Sequence, residues 1–401
     1  MNSAINYLLS IESRGIKLGL ERTQFIMKNC GNPHSNLPVI QVAGTNGKGS
    51  VCAILEKIFR DSGYKTGLFT SPHLVNVNER IRINGKPIEN KKIESFINQY
   101  KHIIENNDIT FFECMTAISA WYFKKQNVDV AIMETGLGGK FDSVSICTPI
   151  ATIITPISYD HMEILGKTLK NITIQKAGIM KKNILCISAK QKPTVEKTLK
   201  IEAKNANVPL YFLDNNKKFD FDFNIPGNKQ KENAKLALFL IKYLNKFNFN
   251  KIFIEKALKS VKWYGRNQIL QVKPTIIFDV GHNESGIRSF IQYYKTLQIL
   301  GNSTLIISLY SRKNIIKLIP LLEAMFINII CTETGGKNPM PASILANHFT
   351  SNHNIKIIPN PDLAIAYGIK KLKRKDGMVI LGTHCFGPAV SKIFNISFDN
   401  L

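Results

Sequence analysis

The sequence lacks any apolar stretch approaching the ~18 uncharged residues of a membrane span; even the run 236–244 is interrupted by Lys242. No membrane partner is expected. Residues 1–15 have neither a basic leader nor a cleavable apolar core, and Glu12 sits in their only apolar patch. Export is therefore not expected, and a cytoplasmic place is. The seven cysteines (Cys30, Cys52, Cys114, Cys147, Cys186, Cys331 and Cys385) never form a C-x-x-C pair, which argues against a zinc site or a disulfide frame and for free thiols in a reducing compartment. Acidic side chains are scarce: 29 against 53 Lys and Arg leave a formal charge of +24. That excess invites a polyanionic partner, but the lysines are spread along the whole chain with no basic block interleaved with aromatics. No nucleic-acid partner is expected, although a positive field would help to collect an anionic substrate. Repeats and low-complexity tracts are missing as well.

What is present is 401 residues with 44% hydrophobic content, more than one core usually serves, so two domains are expected. Short apolar runs alternate with amphipathic stretches, the pattern of an α/β fold with a mostly parallel sheet. Strands are expected at 39–43, 66–70, 128–134, 151–155, 184–188, 275–279, 304–308, 326–330 and 378–382. Several end in a polar or acidic residue, and ligands of open α/β sheets sit beyond the carboxyl ends of strands. A boundary is placed within 263–267, where the helical pattern 254–261 stops and a new strand series starts after Pro274. The expected domains are 1–264 and 265–401.

The buried run 39–43 leads directly into Gly44-Thr45-Asn46-Gly47-Lys48-Gly49-Ser50. Val51, Ile54, Leu55, Ile58 and Phe59 follow at the spacing of one helical face. Strand, glycine-rich loop and helix N-terminus together make a phosphate cradle: glycines let backbone N–H groups converge on phosphate oxygens, and Lys48 would meet the outer phosphates. The loop departs from G-x-x-x-x-G-K-[ST], since Val42 holds the first glycine position and Gly49 follows the lysine. An ordinary P-loop kinase or GTPase is disfavoured.

At these residues the chain resembles the folylpolyglutamate synthase and dihydrofolate synthase family, within the Mur ligase superfamily. The motifs that carry the resemblance occur in order: Lys17-Leu18-Gly19-Leu20-Glu21-Arg22, the phosphate loop, Gly67-Leu68-Phe69-Thr70-Ser71-Pro72-His73-Leu74, and Asn78-Glu79-Arg80-Ile81-Arg82-Ile83-Asn84-Gly85. Glu134-Thr135-Gly136-Leu137-Gly138-Gly139 with Asp142, Asp160-His161 and Lys176-Ala177-Gly178-Ile179 continue the series. The resemblance implies an N-terminal P-loop ATPase domain and a smaller, Rossmann-like C-terminal α/β domain that completes glutamate ligation. It implies Mg²⁺ at two sites, with Ser50, Ser71, Glu134, His161 and Lys176 as ligands, and Lys176 carbamylated. A monovalent cation is a further implied cofactor. Glu134 suits this role on its own terms, because it places a hard oxygen ligand at the end of an apolar strand beside the phosphate loop. Gln175 stands where the family has Glu, which changes the electrostatics around Lys176.

Pro226-Gly227, Gln230 and Asn233 resemble the adenine-contacting segment, with Lys229 in place of the usual histidine. Gly265-Arg266 and Asp279-Val280-Gly281-His282-Asn283 resemble the inter-domain nucleotide site. Arg266 would lie near the phosphates, and Asp279 and His282 near the ribose or the reacting atoms; for Asp279 a turn cap is the competing role. Residues 381–388 depart most from the family pattern. Arg80 and Arg82 are read either as contacts for a polyglutamate tail or as a solvated charged loop.

The implied reaction is ATP-dependent joining of L-glutamate to a carboxylate through an acyl phosphate, with Lys48, His161, Lys176, Asp279 and His282 as the catalytic set. The carboxylate would be dihydropteroate, the glutamate chain of a folate, or both, and a monomer is expected. Two alternatives stand beside it: a sister ligase of cell-wall peptide or cyanophycin type, and a nucleotide- or polyanion-binding protein that has lost catalysis.

Overall fold

Apolar runs without alternation become the interior strands of two sheets, because a strand covered on both faces has no polar side to show. A computed structural model describes residues 3–214, 219–311, 316–336, 338–350 and 354–401. The first sheet contains β1 (Val39–Ala43), β2 (Thr66–Phe69), β3 (Ile81–Ile83), β4 (Lys86–Pro87), β5 (Val130–Glu134), β6 (Pro149–Ile154), β7 (Cys186–Ser188) and β8 (Leu210–Phe212), in the order β4-β3-β2-β5-β1-β6-β7-β8. Its central strands are parallel, and only β3 and β4 run against their neighbours. The second sheet contains β9 (Gln268–Gln271), β10 (Thr275–Asp279), β11 (Ser303–Ile307), β12 (Asn328–Cys331), β13 (Asn354–Ile357) and β14 (Gly377–Leu381). Its order is β13-β12-β11-β14-β10-β9, parallel except for β9.

β5 shows how one strand feeds two cores. Val130 and Ile132 pack with the helix Lys48–Asp61 and with Asn228–Ile241, while Ala131 and Met133 face the opposite side and the helix Phe111–Lys125. All four are fully buried, and each large side chain so covered contributes about 1.5–3 kcal/mol. In the second sheet Ile277 faces one core and Ile276 and Phe278 the other. Each sheet is thus a middle layer between helices, and β1, β5 and β6 deliver their carboxyl ends to one edge.

The two sheets meet through short, specific contacts. Gly387 has no side chain because a Cβ there would stand 2.2 Å from the carbonyl oxygen of Leu74. Arg82 is buried and spends its guanidinium on the backbone carbonyls of Glu79, Gly85, Phe398 and Asp399. That overturns both roles read for it from sequence: Arg82 fastens the tail at 398–399 and is neither solvated nor able to meet a substrate tail. Tyr264 Oη also donates to the Asn400 carbonyl at 2.9 Å.

Candidate active site

The loop after β1 is shaped by its neighbours. Gly44 and Gly47 adopt φ of +146° and +91°, where a side chain is strained. A Cβ at Gly44 would strike the Thr155 hydroxyl, one at Gly47 the Asn233 amide, and one at Gly49 the Trp263 ring. The amides of Thr45 and Asn46 donate to the Pro156 carbonyl at 3.0 and 3.5 Å, so they brace the loop on the segment after β6. The amides left to meet an anion are those of the first turn of the helix Lys48–Asp61, which have no intrahelical acceptor. Of the loop residues read as nucleotide-binding from the sequence, Gly47 to Ser50 lie at the helix start, the Gly44 carbonyl accepts from Lys176, and the Thr45 and Asn46 amides are spent on bracing the loop.

Lys48 Nζ lies 3.7 Å from Glu134 Oε1 and 3.4 Å from the Thr45 carbonyl. Glu134 is buried at the end of β5 and accepts the Ser71 N–H on Oε2 at 3.1 Å. Burial pushes its carboxyl up, opposed first by the Lys48 charge and then by the Ser71 bond. Ser50 Oγ is buried with no hydrogen-bond partner, and such an atom calls for a ligand. Lys176, on the helix Leu169–Ala177, is buried and donates to the Gly44 carbonyl at 2.6 Å. Burial, aided by the Lys48 charge, lowers its ammonium pKa to about 7. His161 takes a left-handed backbone, φ +48°, and its ring stands 3.9 Å from Asp160 and 3.8 Å from Glu163. Among the described residues no three His, Cys, Asp or Glu side chains converge as a metal cage. One buried carboxylate, one unpartnered hydroxyl and a neighbouring phosphate site do suit Mg²⁺, which favours one or two protein oxygens plus phosphates and water.

The second sheet reaches this edge through the turn after β10. Asn46 and Asn283 exchange side-chain hydrogen bonds of 3.1 and 3.0 Å, and Asn283 also donates to Asp160 Oδ2 at 2.9 Å. His282 Nε2 lies 3.9 Å from the same carboxylate, and its Nδ1 is 3.0 Å from the Val280 carbonyl. An Nδ1–H donor to that carbonyl fixes the ring with Nε2 on the Asp160 side. Asp279 is buried and accepts backbone N–H groups on both oxygens, from Asn267 at 2.8 Å and Gly281 at 2.7 Å. Its carboxyl is raised by burial and held down by Arg266. Asp279 thus brackets the turn that presents His282 and Asn283 and steadies Arg266, whose charge also acts on Glu134. Gln230 and Asn233 are buried, joined at 3.1 Å, at the start of the helix that Gly227 opens. Lys229 turns to solvent and pairs with Glu232 at 2.7 Å.

Two site residues, His73 and His384, carried no role in the sequence, and Arg80 carried a different one. His73 accepts from Arg80 Nε at 2.9 Å. Arg80 is buried, not in a solvated loop, and its guanidinium lies 5.1 Å from the Phe111 ring centre. Burial of His384, in the divergent 381–388 segment, holds its pKa down at about 3, aided by the charges of His282, Arg80, His73 and Arg266. The signal that could have found them is the cluster of basic residue types flanking Ser71-Pro72 and Gly382-Thr383.

A parallel sheet whose first strand runs into a phosphate loop, an acidic strand end beside it and a second parallel sheet closing the crevice define a Mur-type ligase. The family model described as the Mur ligase middle domain matches residues 42–248. The chain belongs to the dihydrofolate synthase/folylpolyglutamate synthase family of ATP-dependent ligases. The dihydrofolate synthase/folylpolyglutamate synthase of Bacillus subtilis is 35% identical over 70% of this chain and 73% of its own length. That of Buchnera aphidicola from Acyrthosiphon pisum is 30% identical over 94% of each. Among solved structures, Escherichia coli FolC in complex with DHPP and ADP superposes with a TM-score of 0.90 at 26% identity, over 98% of both chains. Mycobacterium tuberculosis folylpolyglutamate synthase with ADP shares the fold, with a TM-score of 0.90 at 23% identity over 98% of this chain and 100% of the other. No helix among the described residues is long and apolar enough to cross a membrane.

Proposed function

We propose that the chain joins the amine of L-glutamate to the carboxylate of dihydropteroate, to the terminal carboxylate of a folate glutamate chain, or to both, at the expense of ATP. The observation that carries this reading is the gathering of Lys48, Ser50, Glu134 and Lys176 at the ends of β1 and β5 with bonding capacity to spare. A carboxylate needs a leaving group before an amine can displace it, and the γ-phosphoryl of bound Mg-ATP supplies one as an acyl phosphate. Ser50 and Glu134 would hold the first Mg²⁺, with Ser71 beside it, and His161 and Lys176 a second. Lys48 and the helix N-terminus stabilise charge on the transferring oxygens. Arg266 brings a further positive charge from across the cleft. His282, beside Asp160, would take a proton from the glutamate ammonium so that the freed amine can attack the acyl carbon, and Asp160 would stabilise the imidazolium that results. Asn283 and Asn46 close the crevice against water, which would hydrolyse the acyl phosphate. Gln230, Asn233 and Asn267 line the side where the base would stack. Domains 1–264 and 265–401 are the units that close.

Lys176 is read as the site of a carbamate. A pKa of about 7 leaves much of the amine neutral near physiological pH; that nitrogen attacks the carbon of CO₂ and loses a proton, turning a cation into an oxygen ligand. Seven free thiols, five of them buried, support a cytoplasmic place. The chain is read as a monomer.

The test is a substrate-pair assay. Purified protein with ATP and Mg²⁺ should release ADP and phosphate only when glutamate and dihydropteroate, or glutamate and tetrahydrofolate, are both present. Turnover without glutamate, or only with a cell-wall peptide precursor, defeats the reading. The same assay with and without potassium measures any monovalent-cation requirement.

A further inference from the structure

A cavity of about 470 Å³ lies on the outer side of the first unit, between the helices Asn228–Ile241 and Lys251–Ser260 and the segment 219–223. Phe219, Phe221, Leu238, Phe239, Phe247 and Phe249 form its wall. Each is only half-buried, so the rings turn apolar surface into the cavity that the neighbouring core does not cover. A hollow of this size with aromatic walls and a few polar groups is the form of a small-molecule site, which runs to roughly 300–1,000 Å³. Among the described residues the rim is charged with one dominant sign: Lys242 and Lys251 border it beside Lys235, against the carboxylate of Asp214. Lys251 also stands 3.7 Å from Glu255, in an exposed pair that is weak in water.

The wall touches the elements that carry the phosphate cradle. Phe247 and Phe249 meet Phe59 of the helix Lys48–Asp61 edge to face, at 4.9 and 5.0 Å. Lys235, Leu238 and Phe239 belong to the helix whose first turns hold Gln230 and Asn233.

We propose that this cavity binds an apolar carboxylate, with an alkyl or aryl body among the phenylalanines and its anionic head at the lysines. Burial of the body supplies affinity, and the rim supplies the preference for an anion over a cation. The site is independent of the catalytic reading, because no residue of the cleft lines it.

The experiment is calorimetric titration of the full chain with decanoate and with decylamine. Decanoate is expected to bind saturably at one site, about tenfold or more tighter than decylamine. Lys242→Glu combined with Lys251→Glu should weaken decanoate about tenfold, and Leu238→Trp, which fills the hollow, should abolish its binding. ATP turnover reports that each variant is folded; if the tryptophan variant fails to fold, the exposed lysine pair still decides the matter. Absence of saturable binding, decylamine bound as tightly as decanoate, or decanoate binding indifferent to the lysine reversal or to the filled cavity overturns the proposal.

Discussion

The two crevices that face each other across the cleft are built from similar strand ends and use them in opposite ways. At the first sheet, Glu134 gives one oxygen to a backbone amide and keeps the other beside Lys48, Ser50 Oγ has no partner, and burial lowers the Lys176 ammonium pKa to about 7. At the second sheet, both oxygens of Asp279 are taken by backbone amides, His282 leans on Val280, and Asn283 caps the helix Glu284–Lys295 through Gly286. Groups left wanting are available for ligand; groups already satisfied define geometry. On the function proposed above, the first crevice binds the phosphates and metal, while the second mainly fixes the shape of the cleft and presents His282 and Arg266 to it, so substitutions in the two should fail differently.

Lys48→Ala should produce the largest effect, a loss of about a thousandfold in kcat with an unchanged thermal midpoint, because a charge-stabilising cation is removed and no packed group is. Steady-state kinetics with a melting curve decide it, and retained turnover would dissolve the distinction between the crevices. Asp279→Ala should instead cost about 3 kcal/mol of stability, since two buried N–H groups lose their acceptor; chemical denaturation measures this, and a stable but inactive variant would move Asp279 to the chemical side. Glu134→Gln should raise the Mg²⁺ concentration for half-maximal turnover by about tenfold without a comparable loss of stability, and an unshifted metal titration would place the ligand elsewhere.

The pH response sharpens the same contrast. Below about pH 7 Lys176 is protonated in both folded and unfolded chains, and the cost of burying its charge is fully present. As pH rises from about 7 toward its ordinary value of 10.5, only the unfolded chain keeps the proton, so stability rises with pH. In CO₂-free buffer the wild type should gain about 2 kcal/mol on Lys176→Met between pH 7 and 9, read from denaturation at each pH; parallel curves would show that the lysine is not desolvated. The smallest effect is expected across the cleft. A double-mutant cycle of Asn46→Ala and Asn283→Ala should give a coupling of about 1 kcal/mol, and additive effects would mean that the pair does not hold the crevice closed.

The nine strands legible in the sequence are those whose residues are covered on both faces, such as β1 and β5. The five that were not, β3, β4, β8, β9 and β13, lie at or beside sheet edges, and four of them show water along part of their length, as in Gln268–Gln271. An edge strand held by one neighbour writes no apolar run. Glu134, Lys176 and the phosphate loop were legible because each ends or opens a regular element. His73 and His384 were not, and Arg80 was read with the wrong surroundings, since their meaning comes from partners elsewhere in the chain. Asp279 was recognised as a site residue, but only the positions of the Asn267 and Gly281 amides separate a bracket from a ligand contact.

The exchange between Asn46 and Asn283 is a clasp made of two carboxamides, each giving one N–H and taking one. Carboxamides have no proton to gain or lose in ordinary buffers and carry no net charge, so this clasp is blind to acidity and to ionic strength. Any dependence of crevice opening on either would enter through the charged groups around it, foremost the Asp160 carboxylate that accepts from the same Asn283 amide.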